Sequence, residues 1–158
     1  MTAGATPEER LAALGLTLPA VAPPGGSYLP AVRTGRYVYT AGQLPFVDGK
    51  LPATGKVGAE VSVEDAHDLA RLCALNALAA AASAAGRLSA IARIVKVVGF
   101  VASAPSFTAQ PQVINGASDL LTEVFGDAGQ HARSAVGVAV LPLDTPVEVE
   151  LIAEVATS

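Results

Sequence analysis

The chain has 158 residues, of which 51% are hydrophobic and only 4% aromatic, and it carries a formal net charge of −4 from 14 acidic and 10 basic side chains. That length supports one domain with a real core, and scattered lysine and arginine with few aromatics exclude a nucleic-acid surface, which needs a basic face or a stacking platform. The single cysteine, Cys73, rules out an internal disulfide and a cysteine-based zinc site, and no uninterrupted apolar run reaches the roughly 18 residues of a membrane span.

The chain begins MTAGATPEER, without a basic stretch leading into an apolar one, so the expectation is a cytoplasmic protein with no membrane partner. TPEERLAALGL predicts a short helix: Thr6 caps it, Pro7 takes the first helical position, acids fill the first turn and Gly15 ends it. It lies in an N-terminal extension, residues 1–24, of a single domain spanning 1–158, and the turn-rich connector PPGGSY leads on from it. LPAVRTGRYVYTAGQLP then reads as two strands turning at Thr34 and Gly35, with Tyr37 and Tyr39 on one face. A polar section follows, with turns at Asp48–Gly49 and Thr54–Gly55 and room for a short extra strand near Gly49.

A long helix starts at Ser62, with Asp65 three residues on, and runs through ALNALAAAASAAG to Gly86. ARIVKVVGFVASA is a strand apolar on nearly both faces, as a central position demands. A second helix, Pro111 to Phe125, stops at Gly126. HARSAVGVAVLP and PVEVELIAEV are the last two strands, joined around Leu143 to Pro146. The order β-β-α-β-α-β-β predicts an α+β sheet with two helices packed on one face.

The last two strands have distinct faces. Val136, Val138 and Val140 alternate with Arg133, Ala135 and Gly137, and Val147, Val149 and Leu151 alternate with Glu148 and Glu150. Pairing them as a hairpin, valine face to valine face with Pro142 near Val147, sends the valines to the helices and leaves Arg133 and the small residues on the other face as a subunit interface or cleft. Arg133 and Glu148 then sit at opposite ends of the hairpin, about 25 Å apart at roughly 3.3 Å per residue, so both could serve one ligand only from different subunits.

ARSAV at Ala132–Val136, Leu141–Pro142, VEVE at Val147–Glu150 and TAGQLP at Thr40–Pro45 together resemble the reactive-intermediate deaminase family, also called RidA or YjgF-like and once labelled endoribonuclease L-PSP. The resemblance runs from Tyr28 onward. It implies a chorismate-mutase-like fold, a homotrimer with a central barrel and clefts between subunits, and hydrolysis of enamines or imines such as 2-aminoacrylate to 2-keto acid and ammonia. It further implies Arg133 as carboxylate anchor, Glu148 as the catalytic carboxylate, Tyr28 and Asn115 as substrate contacts, and main-chain contacts from Gly42 and Ala135. Archetypal members have serine before that glycine and cysteine two after the arginine; Ala41 and Ala135 stand there, which keeps contacts made through backbone N–H groups.

A guanidinium grips a carboxylate through two parallel hydrogen bonds, and a carboxyl group such as Glu148 can exchange protons with an attacking water when its pKa is raised. Neither a cofactor nor a metal is needed. The rival expectation is a trimer that binds a small carboxylate metabolite without turning it over. The ribonuclease label sits badly with an acidic, aromatic-poor chain. Cys73 reads as a buried apolar group, His67 and His131 as surface or capping residues, and GKLPATGKV lacks both the spacing and the Ser or Thr of a phosphate loop.

Overall fold

The structure is a computed structural model and describes residues 4–157. Helix α1, Pro7–Ala13, is held by a full capping box: Glu9 N–H donates to Thr6 Oγ1 (3.2 Å) and Thr6 N–H donates to Glu9 Oε2 (2.7 Å). Its Leu11 is buried, and Gly15 leaves the helix at φ 73°. Strands β1, Ala31–Thr34, and β2, Tyr37–Thr40, form the expected hairpin, with Thr34 opposite Tyr37. The extra strand near Gly49 is reduced to one bridge, Val47 to Lys50, across a turn in which Asp48 and Gly49 both have positive φ.

Helix α2, Val63–Ala85, starts where Ser62 Oγ accepts from Asp65 N–H (3.1 Å) and ends at Gly86. By length and composition it could cross a membrane, yet 61% of its most apolar window is buried in the fold, as befits the core helix under the sheet. Strand β3, Ile91–Ala102, leads through α3, Gln110–Phe125, to β4, Ala132–Val138, and the chain closes with β5, Val147–Val155. The sheet order is β1-β2-β5-β3-β4, with both long helices on one face.

The expected hairpin of the last two strands is not formed. β4 runs parallel to β3, Arg133 opposite Val97 and Ala135 opposite Gly99, while β5 lies antiparallel between β2 and β3, Glu148 opposite Phe100. β3, α3 and β4 make a crossover unit, the only connection that lets neighbouring strands run parallel. The faces of β4 are also the reverse of the expectation: Arg133, Ala135 and Gly137 turn toward the helices, and Val136, 42% exposed, lies on the open face. The small residues do admit a close neighbour, but it is α3 of the same chain. A Cβ at Gly99 would meet Ile114, and one at Gly137 would lie 2.7 Å from Gln110 Nε2. β5 follows the expectation, with Val147, Val149, Leu151, Ala153 and Val155 buried against the helices and the glutamates on the open face.

Candidate functional site

The residues singled out in the sequence gather at two places. The first lies on the helix side of edge strand β4. Arg133 Nη1 donates to Asn115 Oδ1 (2.8 Å) and to Ser118 Oγ (3.2 Å), and Nη2 donates to the Pro111 carbonyl (3.4 Å). Three of the five guanidinium N–H groups are thereby held. The hydrogen bonds come from the two Nη atoms and none from Nε, so the guanidinium keeps N–H donors for a carboxylate. No acidic side chain among the described residues pairs with Arg133.

Ser118 is fixed in turn by His131. His131 Nδ1 lies 2.6 Å from the Gly129 carbonyl, which only accepts, so Nδ1 donates there and the ring is held in place. The Ser118 hydroxyl hydrogen-bonds to Nε2 (2.9 Å) and accepts from Arg133 (3.2 Å). The expected capping role of His131 is met at the last carbonyl of the 3-10 turn Gly126–Gly129, and the half-buried ring also holds the arginine's support. Ser118 and His131 escaped the sequence reading, although Ser118 stands one helical turn after Asn115 and His131 two residues before Arg133 on the same strand edge, spacings that place them on common faces. Asn115 can approach β4 because Gly116 lets α3 lie on α2; a Cβ there would run into the His67 carbonyl. Ala135 packs on the core beside these groups.

The second place is on the open side. Gln43 and Val149 exchange hydrogen bonds (2.8 and 3.0 Å), which lays Gly42 beside Glu148 on β5. The Glu148 carboxylate occupies the space that a Gly42 side chain would fill, so glycine is required there for room; its φ lies outside the left-handed region. Burial pushes the Glu148 carboxyl above its ordinary pKa, and the Glu150 carboxylate two residues on adds to the effect. Beside Gly42 opens a cleft of about 150 Å³ whose walls include Tyr28, Pro30, Leu44 and Leu143. Tyr28 belongs to this group; its Oη accepts from Gly25 N–H (3.1 Å).

Arg133 and Glu148 are therefore nearer than the hairpin implied, about 14 Å between Cα atoms for a three-residue offset across two strand spacings. They nevertheless emerge on opposite faces of one sheet. Cys73 is buried as expected, its thiol pushed well up in pKa by burial. Among the described residues no group of three His, Cys, Asp or Glu is placed to hold a metal ion.

An α+β protein with a mixed five-stranded sheet, both long helices on one face and an arginine presented from a parallel edge strand has the chorismate-mutase-like fold. Comparison with known proteins refines that class. The profile of the family described as "YjgF/chorismate mutase-like, putative endoribonuclease" matches residues 8–155, and the chain belongs to that family. Protein TCP17 of Trypanosoma cruzi is 44% identical over 142 residues, 89% of each chain. The crystal structure of Atu1372 from Agrobacterium tumefaciens, a protein of unknown function, is 47% identical with a TM-score of 0.88, covering 95% of this chain and 92% of its own. The structure of Escherichia coli TdcF with bound serine is 30% identical with a TM-score of 0.64, covering 89% of this chain and 96% of that one. Family membership supports a role in processing a small molecule.

Proposed function

We propose that this protein hydrolyses reactive enamines and imines of 2-amino acids to 2-keto acids and ammonia, as a homotrimer whose sheets form a central barrel and whose sites lie between protomers. The observation that carries the reading is the arginine: a cation held by three hydrogen bonds to neutral groups, with N–H donors to spare and no carboxylate partner among the described residues. Bound serine in the TdcF structure is a ligand of the same chemical kind, a small amino-acid carboxylate.

Arg133 takes the substrate carboxylate and fixes C2 in space. An enamine first takes a proton at C3 and gives one up from nitrogen to become the imine. Glu148, with its raised pKa, then takes a proton from water as the water oxygen bonds to C2 and the C=N π pair moves to nitrogen, which takes a proton from solvent. Proton transfer from the resulting hydroxyl and onto the nitrogen then lets the C–N bond break, leaving the C2 carbonyl and ammonia. Free imines already hydrolyse in water, so positioning supplies most of what is needed. Because the two side chains emerge on opposite faces of one sheet, the site draws Arg133, Asn115 and Ala135 from one protomer and Tyr28, Gly42 and Glu148 from the next. The exposed apolar groups Val32, Tyr37, Tyr39 and Val136 on the open face suit burial inside the barrel.

The test is semicarbazide competition while a lyase generates 2-aminoacrylate, with sedimentation of the purified protein alongside. Faster keto-acid release by the wild type, lost in Arg133→Ala, and a trimeric mass are expected. Carboxylate binding without acceleration would leave a binding protein instead of an enzyme.

A further inference from the structure

The cleft beside Gly42 has walls that imine hydrolysis itself does not demand. Pro23, Tyr28, Pro30, Leu44, Phe46 and Leu143 present apolar surface to it. It shares Ala22, Pro23 and Phe46 with a second cavity of about 400 Å³ that continues beneath Pro19–Pro23 as far as Asn76. The floor between them is fixed: Asn76 Nδ2 spends both its hydrogens on the carbonyls of Leu44 (2.8 Å) and Phe46 (3.1 Å). The roof is fixed as well. Tyr28 folds back over its own loop, with its N–H on the Gly26 carbonyl (3.0 Å) and its hydroxyl taken by Gly25.

Leu143 lines the same cleft. Its φ of 58° and ψ of 19° put it in the left-handed region, where a side chain is disfavoured, and Asp144 follows at φ 57°. The turn is kept in place by Gly55 N–H on the Asp144 carbonyl (2.9 Å) and Thr145 N–H on the Pro142 carbonyl (3.2 Å). The Leu143 side chain gains little from the fold in return, being 68% exposed. A strained turn that holds an apolar side chain out toward a cleft suits contact with a ligand better than contact with the core. Tyr28 and Gln43 are the only polar side chains among the residues lining the smaller cleft; Tyr28 Oη accepts from Gly25 N–H and Gln43 Nε2 donates to the Ala41 carbonyl (3.4 Å). Against a lining with two polar side chains among otherwise apolar residues, an apolar group of the ligand gains more than a charge, which would lose water with no opposite charge to meet it.

We infer that this cleft receives the ligand's side chain, that Leu143 and the Pro19–Tyr28 segment set its specificity, and that the preferred ligands are 2-imino acids with branched aliphatic or aromatic side chains. The inference rests on the proposed function, since it takes the ligand's carboxylate to be on the neighbouring protomer's arginine.

Each buried methylene is worth about fourfold in selectivity, so a leucine-derived imine, three carbons larger than the alanine-derived one, is favoured at least about tenfold in kcat/KM. Imines made in situ by an L-amino-acid oxidase from leucine, phenylalanine and alanine, with semicarbazide as trap, give the ratio directly. Leu143→Gly keeps the turn, because glycine accepts positive φ, and lowers the ratio at least threefold. A wild-type ratio below tenfold, or a smaller loss in the variant, overturns the inference. If no imine is hydrolysed faster, the enzymatic reading fails by itself, and calorimetric titration with 4-methyl-2-oxopentanoate and pyruvate decides the rest. A Kd at least tenfold lower for the branched acid upholds the apolar cleft; equal affinities or no binding overturn it.

Discussion

Replacing Gly42 with alanine adds one methyl group where the Glu148 carboxyl now lies. The new Cβ would sit 2.8 Å from Glu148 Cδ and 3.1 Å from Cγ, against ordinary carbon contacts of about 3.5–4.0 Å, so the carboxyl must move by about 1 Å. The Gly42 backbone lies outside the left-handed region and loses nothing, and the displaced group is the end of a flexible side chain, whose off-rotamer cost is about 0.5–1.5 kcal/mol. A 1 Å misplacement of a reacting group costs about a hundredfold in rate. The expected outcome is a kcat about a hundredfold lower, a KM little changed because Arg133 is untouched, and a Tm within about 5 °C of wild type. Semicarbazide-competition kinetics and a thermal melt on the same preparation read all three. Full activity in Gly42→Ala would refute the role given to Glu148, and a Tm loss well beyond 5 °C would refute the claim that only a side-chain end has to give.

Gly116→Ala makes the contrasting case: its methyl meets the His67 backbone carbonyl, which cannot rotate away, and urea unfolding should show a loss of about 1–3 kcal/mol or more. Arg133→Lys keeps the charge but not the fork or its grip on Asn115 and Ser118, so calorimetry should show a small carboxylate bound at least about tenfold more weakly with the fold intact. Asn76→Ala strips the Leu44 and Phe46 carbonyls of their donor and should cost about 2–4 kcal/mol in urea unfolding. Glu148→Gln should stabilise the protein at neutral pH. A carboxyl whose pKa is raised on folding penalises the charged folded state above that pKa, and the penalty vanishes below the unfolded value of about 4.3. The Tm gap between variant and wild type should therefore be widest at pH 7 and above and shrink as the pH falls toward 4.

The arginine could be found because it departs from its surroundings, a permanent charge at the head of an apolar strand, and Gly42 and Glu148 because they fall in motifs that resemble a family. Their mutual placement could not. Gly42 meets Glu148 through the bridge between Gln43 and Val149, which depends on β5 lying next to β2. The support of Arg133 was hidden for a similar reason: Ser118 and His131 are ordinary residues in their own segments, and their purpose arises where α3 crosses β4. Leu143 gave no sign either, since a leucine in a loop does not announce a positive φ.

What the chain determines by itself is local. Thr6 and Ser62 cap their helices, Gly15 and Gly86 end them, and Gly35 turns the first hairpin, because each effect acts between residues a few positions apart. Tertiary structure alone decided that β4 pairs with β3 and that β5 enters between β2 and β3. Strand alternation is the same whichever neighbour supplies the hydrogen bonds, so the choice fell to burial over the whole sheet: β5 puts five apolar side chains against the helices, while β4, with its small residues and its arginine, lets α3 approach at the edge.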